Sequence, residues 1–175
     1  MTIYRELKSR IEANYLSANK VSDMRFYLLS LIALETGARV SDLLKLEFSA
    51  INENVISYTN SKSKRKQNQI VSTNLVNHIN RYKSTLIELE QFSSLMFYNQ
   101  SKGSVLSRVT ANRRSQKEFD INFHQLRKES GRNVASQRGV VLASKFLGHS
   151  KVSTTDIYLN ISDNDYLKQM TSIDM

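Results

Sequence analysis

Residues 22–36 carry apolar side chains on nearly every helical face, in the runs Phe26-Tyr27-Leu28-Leu29 and Leu31-Ile32-Ala33-Leu34. Ser22-Asp23 before it is a helix-capping signal, and Gly37 after it is a helix stop. A helix that is apolar all round has to be surrounded by protein. This one is shorter than the ~20 residues that cross a bilayer. It is therefore predicted to be the central buried helix of a globular core. Arg39 follows on a turn, and Ser41 is expected to cap a short helix with Leu43, Leu44 and Leu46 facing inward.

The rest of the chain supplies elements to pack around it. Ile3, Leu7, Ile11 and Tyr15 are spaced four apart, which predicts an amphipathic helix over 3–17. Short β-branched or aromatic stretches at Phe48–Ile51, Val55–Thr59 and Gln69–Ser72 predict a small three-stranded antiparallel sheet. Its second hairpin carries Lys62, Lys64, Arg65 and Lys66 at the tip. Residues 74–91 return to helix, with Leu75, Ile79, Tyr82, Leu86 and Leu89 as the inward stripe. Leu95–Tyr98 reads as a short buried strand or turn, followed by a loop around Gly103. A basic helix with Arg113, Arg114 and Lys117 comes next, then a helix over 122–131 ending at Gly131. Ser136 is expected to start another helix through Val140, Ala143, Phe146 and Leu147, and Asp163–Met175 is a further helix candidate. The expected fold class is α+β, mainly helical with one small antiparallel sheet, in a single domain over residues 1–175.

Lys and Arg outnumber Asp and Glu by 25 to 16, a formal charge of +9. That excess favours a polyanionic partner, most simply nucleic acid, over general solubility charge. Cysteine is absent and the three histidines are far apart, so no disulfide, metal or other cofactor is expected. No apolar run reaches ~18 residues and no signal-peptide core opens the chain, so a soluble cytoplasmic protein with no membrane partner is expected.

The candidate chemistry centres on Phe146-Leu147-Gly148-His149-Ser150, with Tyr158 nine residues beyond the histidine. Gly148 can end a helix in the left-handed conformation, and Ser153 or Thr154 can cap the next. His149 and the Tyr158 phenol would then be presented from a fixed turn. A phenol with pKa ~10 needs cations and donors around it to act as a nucleophile at neutral pH. Two His-x-x-Arg pairs are present. His78 and Arg81 flank a stripe already filled by Leu75, Ile79 and Tyr82, so they should face solvent. His124 and Arg127 sit beside the inward positions Phe123 and Leu126, and a single helix separates them from His149.

Thr36-Gly37-Ala38-Arg39 with Ser41-Asp42-Leu43-Leu44 and Leu46 resembles the first arginine motif of the tyrosine recombinases, the phage-integrase family. His124-Gln125-Leu126-Arg127 resembles its second box, and Leu147-Gly148-His149 with Thr155 and Tyr158 its third. The resemblance implies a site-specific recombinase or integrase that works without metal or ATP. It implies Tyr158 as the nucleophile forming a 3′-phosphotyrosyl link, and Arg39, His124, Arg127 and His149 as the groups around the phosphate. It further implies a catalytic lysine on the sheet hairpin, Lys62 in preference to Lys64, with Lys64, Arg65 and Lys66 holding DNA. Double-stranded DNA is the implied partner, with self-association into a tetrameric synapse in a prokaryotic cell, and no small-molecule substrate. Lys128 stands where the family has His, and Asp42 stands where an acidic residue orients a basic side chain. The N-terminal domain with which the family clamps DNA is expected to be absent. The family's C-terminal segment packs on a neighbouring subunit, which Tyr166, Leu167 and Met170 can serve as well as they can a helix folded back on its own core.

Three other functions fit parts of the pattern. A type IB topoisomerase-like enzyme would use the same groups to relax DNA as a monomer. A non-catalytic DNA-binding or architectural protein would keep the fold without the chemistry. An RNA-binding basic domain would explain the charge but not the three ordered boxes.

Overall fold

The computed structural model describes residues 3–148 and is organised, as the apolar run requires, around one helix. Helices α1 (Ile3–Leu16), α4 (Thr73–Glu88) and α6 (Phe123–Arg138) all pack against α2 (Val21–Thr36). Leu28, Leu29, Ile32, Ala33 and Leu34 of α2 are wholly inaccessible to solvent. The helix starts from an extended Lys20 and not from a side-chain cap at Ser22. The charge buried within it, Arg25, donates from Nε to the Tyr82 hydroxyl at 3.0 Å. At its end Glu35 accepts from the Ser72 N–H (2.7 Å) and hydroxyl (2.7 Å) and pairs with Lys8 (2.8 Å). One carboxylate thereby joins α1, α2 and the residue that caps α4.

Gly37 closes α2 in the left-handed conformation, φ +61°, with its N–H on the Ala33 carbonyl. A Cβ there would lie 2.5 Å from the Phe146 ring. Gly37→Ala is expected to lower stability by roughly 2–5 kcal/mol, from backbone strain and overpacking together. Denaturant unfolding measures it, and a loss under 1 kcal/mol would contradict this packing.

The sheet is antiparallel in the order β1 (Ile51–Asn52), β2 (Val55–Thr59), β3 (Lys66–Ile70). Ile56 and Tyr58 of β2 turn into the core while Ser57 and Thr59 turn away, the period-two pattern of a half-buried strand. Two edges differ from the sequence-based expectation. Phe48–Ala50 winds into a 3-10 turn and not a strand, which brings Phe48 against Phe92 and Tyr82, with ring centroids 5.5 and 6.2 Å away. β3 begins three residues early and is polar. Its inward position is Gln69, and pairing with β2 sets its register. Residue 72, expected in the strand, instead caps α4 by accepting from the Leu75 N–H.

α4 buries Leu75, Ile79, Tyr82 and Leu86 as expected, but Leu89 lies past its last turn and is half exposed. His78 is a correction. It lies in a seam between α1 and α4 and not on an open face. Its carbonyl accepts from the Tyr15 hydroxyl at 2.7 Å, and its ring centroid lies 4.8 Å from that of Tyr15. Arg81 is exposed, over the Tyr15 ring. Burial pushes the Tyr15 phenol up to about 12.

A small hairpin, β4 (Tyr98–Asn99) and β5 (Ser104–Val105), leads to α5 (Arg108–Phe119). There Arg114 lies 4.3 Å over Phe26 and pairs with Asp23 and Glu118, so part of the basic helix serves packing. α6 runs through Gly131 and stops only at Gly139, φ +81°, where α7 (Val140–Phe146) begins. A glycine inside a helix costs only ~1 kcal/mol. The capping box of Asn122 and Gln125, with burial of Leu126 and Ala135, outweighs it. Ser136 therefore lies inside α6 and starts no helix.

Candidate active site

Four segments converge on one face: the loop after α2, the β2–β3 hairpin, the start of α6 and the end of α7. Arg39 provides the carbonyl that starts α3 (Val40–Leu43), a place expected for Ser41. Its Nη1 donates to Asn60 Oδ1 at 2.9 Å. Asn60 follows the last residue of β2 and is 2% exposed. The same oxygen takes the main-chain N–H of Lys62 (3.0 Å) and Ser63 (3.2 Å). The Asn60 carbonyl accepts from Lys64, which holds φ +56°, and its N–H donates to Arg65. Asp42 accepts from the Ser61 N–H at 3.2 Å, so among the described residues it orients the hairpin main chain and no basic side chain.

On α6, Phe123 and Leu126 are buried, as expected from their place beside His124 and Arg127. Arg127 is 4% exposed. It donates from Nη1 to the Gly37 carbonyl, and from Nη2 to the Leu147 carbonyl at 2.6 Å. It thus joins the last turns of α2 and α7, where unpaired carbonyls accumulate. Gln69 Nε2 adds a bond to the Phe146 carbonyl at 2.8 Å. The buried Tyr58 phenol lies close by; burial raises its pKa against Arg127, Gln69 and Arg39. Gly148 takes φ +64°, the left-handed end expected from the sequence. A Cβ on it would lie 3.2 Å from Asn60 Nδ2. His149, Tyr158 and the tail over 163–175 lie outside the described residues.

His124 is exposed on the first turn of α6. Burial of part of the ring, then Lys128, Arg127 and Arg39, lower its pKa below the ordinary 6.5. His78 is lowered too, chiefly by burial. A histidine whose folded pKa is depressed binds its proton more readily unfolded. Stability is then full above about pH 6.5 and declines as pH falls towards the folded value. The melting temperature should therefore drop as pH falls below about 6.5, and drop less in His78→Gln with His124→Gln, as read by thermal unfolding across buffers.

Arg39, Lys62, His124 and Arg127 line one cleft of about 1920 Å³, with Arg65, Lys66, Arg108, Arg138 and Lys145. Lys64 is exposed at the hairpin tip and is not among the lining residues. Among the described lining residues there are eight Lys or Arg and no Asp or Glu. Such a cleft concentrates field and attracts phosphate. Asn60, Gln69, Arg108, Arg138 and Lys145 were not singled out from sequence. Only their side-chain type, polar or basic, hinted at them. Among the described residues no group of three or more His, Cys, Asp or Glu could hold a metal ion, and no helix is long and apolar enough to cross a membrane.

The family described as the phage integrase family matches residues 7–165. No curated protein matches the chain. Among solved structures it is similar to XerA recombinase, with a TM-score of 0.75 and 20% identity, covering 98% of this chain and 64% of that one. It is also similar to XerH site-specific recombinase bound to its difH substrate in a pre-cleavage complex, with a TM-score of 0.74 and 21% identity, covering 99% and 53%. A lambda integrase dimer bound to a COC′ core site gives a TM-score of 0.64 at 21% identity, covering 91% and 47%. This chain spans less than two thirds of the length of each of these structures, and at such identity the likeness is one of fold.

Proposed function

This chain belongs to the phage integrase family, the tyrosine recombinases, and on that premise we propose that it cuts and rejoins duplex DNA through a covalent 3′-phosphotyrosyl intermediate. The observation that carries the reading is the cleft itself. Arg39, Lys62, His124 and Arg127 come from four separated segments, and all of them line it, among cations and without an acid among the described lining residues.

In the proposed reaction the Tyr158 oxygen attacks the scissile phosphorus. The O–P bond to tyrosine forms as the bond from phosphorus to the 5′-oxygen breaks. Negative charge grows on the non-bridging oxygens, so catalysis rests on positioning and charge stabilisation. Arg39 and Arg127 suit that task because guanidinium is permanently charged and can grip two oxygens at once. His124, with its lowered pKa, is largely neutral at neutral pH and can donate one N–H to the phosphate. His149 adds a second donor, and one of the two imidazoles receives the phenol proton. The exposed Lys62 ammonium delivers a proton to the departing 5′-oxygen. A 5′-hydroxyl from another strand then reverses each transfer, so the phosphodiester energy is conserved and no nucleotide cofactor is required. Lys64, Arg65 and Lys66 add phosphate contacts along the hairpin. Several copies assembled on two duplexes would give strand exchange, carried out on DNA in the cytoplasm.

Incubation with nicked duplexes spanning candidate sites, then denaturation and peptide mapping, tests this reading. A protein–DNA adduct at Tyr158 is expected. Tight binding without an adduct on any site would leave the architectural alternative. Relaxation of supercoils by the monomer would move the assignment to the topoisomerase-like alternative.

A further inference from the structure

We propose that Asn60 is a positioning residue that aligns the Arg39 guanidinium with the turn carrying Lys62, through one shared amide oxygen. The inference rests on the strand-transfer reading above. Its starting point is an oversubscribed acceptor. Asn60 Oδ1 receives three donors, Arg39 Nη1 at 2.9 Å and the N–H groups of Lys62 and Ser63 at 3.0 and 3.2 Å. An amide oxygen has two lone pairs. The two main-chain donors lie within the hairpin turn, whereas the Arg39 bond spans 21 residues and joins two elements. Exchanging that bond for a phosphate oxygen leaves Asn60 with its two turn donors and no unmet demand.

The location supports the same role. Asn60 is 2% exposed at the end of β2, and a Cβ on Gly148 would come within 3.2 Å of its Nδ2. It therefore bonds the Arg39 loop to the Lys62 turn and lies beside Gly148, leaving little room there for a side chain. A neutral amide is the group that suits this place. It can hold a guanidinium in line without cancelling its charge, which a carboxylate would do. Nothing in the motifs marks it, because an asparagine after a strand is ordinary turn chemistry.

The test uses two variants that separate turn-making from charge alignment. Asn60→Asp keeps an acceptor for the turn and pairs with Arg39 by charge. Asn60→Ser keeps a shorter acceptor for the turn but is too short to reach Arg39. Both are compared with wild type in single-turnover cleavage of nicked duplex at saturating DNA, alongside thermal unfolding. The expected result is a loss of tenfold or more in cleavage rate in both, with the melting temperature within about 3 °C of wild type. In an Arg39→Ala background the same changes should cost less than threefold, because their target is gone. Losses below tenfold, losses undiminished without Arg39, or failure of both variants to fold would each overturn the proposal. If wild type forms no adduct, the strand-transfer reading fails by itself. The same double-mutant cycle, read in duplex affinity, then decides the Asn60–Arg39 coupling, with additive losses refuting it.

Discussion

Tyr158→Phe should bind duplex DNA with wild-type affinity, within about threefold, and form no covalent adduct at all. The change removes one oxygen and leaves the ring. The cations that line the cleft are untouched, so binding survives. Chemistry does not, because no bond to phosphorus can form. Deleting a nucleophile elsewhere costs on the order of 10⁶ in rate, and a total loss of adduct on any practical timescale is the expectation here. Gel shift measures the first quantity, and denaturing gels with peptide mapping measure the second. An adduct that persists in the variant would transfer the nucleophile to another residue, with Tyr166 the first to examine. Persistence would also detach the Gly148 turn from the reaction.

Arg127→Ala should fail twice, in rate and in stability, whereas Arg39→Ala should fail in rate alone. Both remove a permanent charge from the cleft, and loss of one oxyanion donor costs roughly 10²–10³ in rate. The difference lies in what each guanidinium holds in the folded chain. Arg127 is buried and bonds to the carbonyls of Gly37 and Leu147, which would be left without that donor. An orphaned buried group costs about 1–3 kcal/mol, so roughly 2–4 kcal/mol of stability should go with the rate. Arg39 is half-buried and its bond is to Asn60, whose oxygen keeps two other donors. Arg127→Lys should recover little, since the ammonium offers one nitrogen where the guanidinium sets two, each on its own carbonyl. Denaturant titration and single-turnover cleavage together check the pair. An Arg127→Ala protein as stable as wild type would show that the two helix ends need no tie.

The parts of this fold that sequence predicts well are those governed by an apolar pattern. The α1 and α4 stripes follow from residue spacing, because burial acts on one face of each, and α2 follows from an apolar run that leaves no face for solvent. The edges follow other rules. Phe48 abandons a strand to reach Phe92 and Tyr82, a tertiary preference invisible in a local window. β3 is held by pairing and not by its own composition, so its polar Lys66–Asn68 stretch reads as loop. Gly131 reads as a stop because glycine usually is one, yet the cap at Asn122 and the packing of Leu126 carry α6 past it. At the site, Arg39, His124 and Arg127 were legible in boxes in order and Lys62 only through the hairpin the resemblance implies, and the structure brings these four to one cleft. Asn60 and Gln69 were not legible. Each reaches another segment by a side-chain bond to a partner 21 or 77 residues away, and no spacing rule encodes such a bond.

The structural tie made by Arg127, beside its proposed place at the phosphate, changes how relatives with altered sites should be read. A descendant that had abandoned strand cleavage would still be under pressure to keep this guanidinium, simply to stay folded. Its persistence is therefore poor testimony of activity. Lys62 is the better witness, since its side chain is exposed and the turn beneath it is held by main-chain N–H groups. Drift at that position would leave the scaffold intact, so a lysine retained there would speak for the proposed proton transfer.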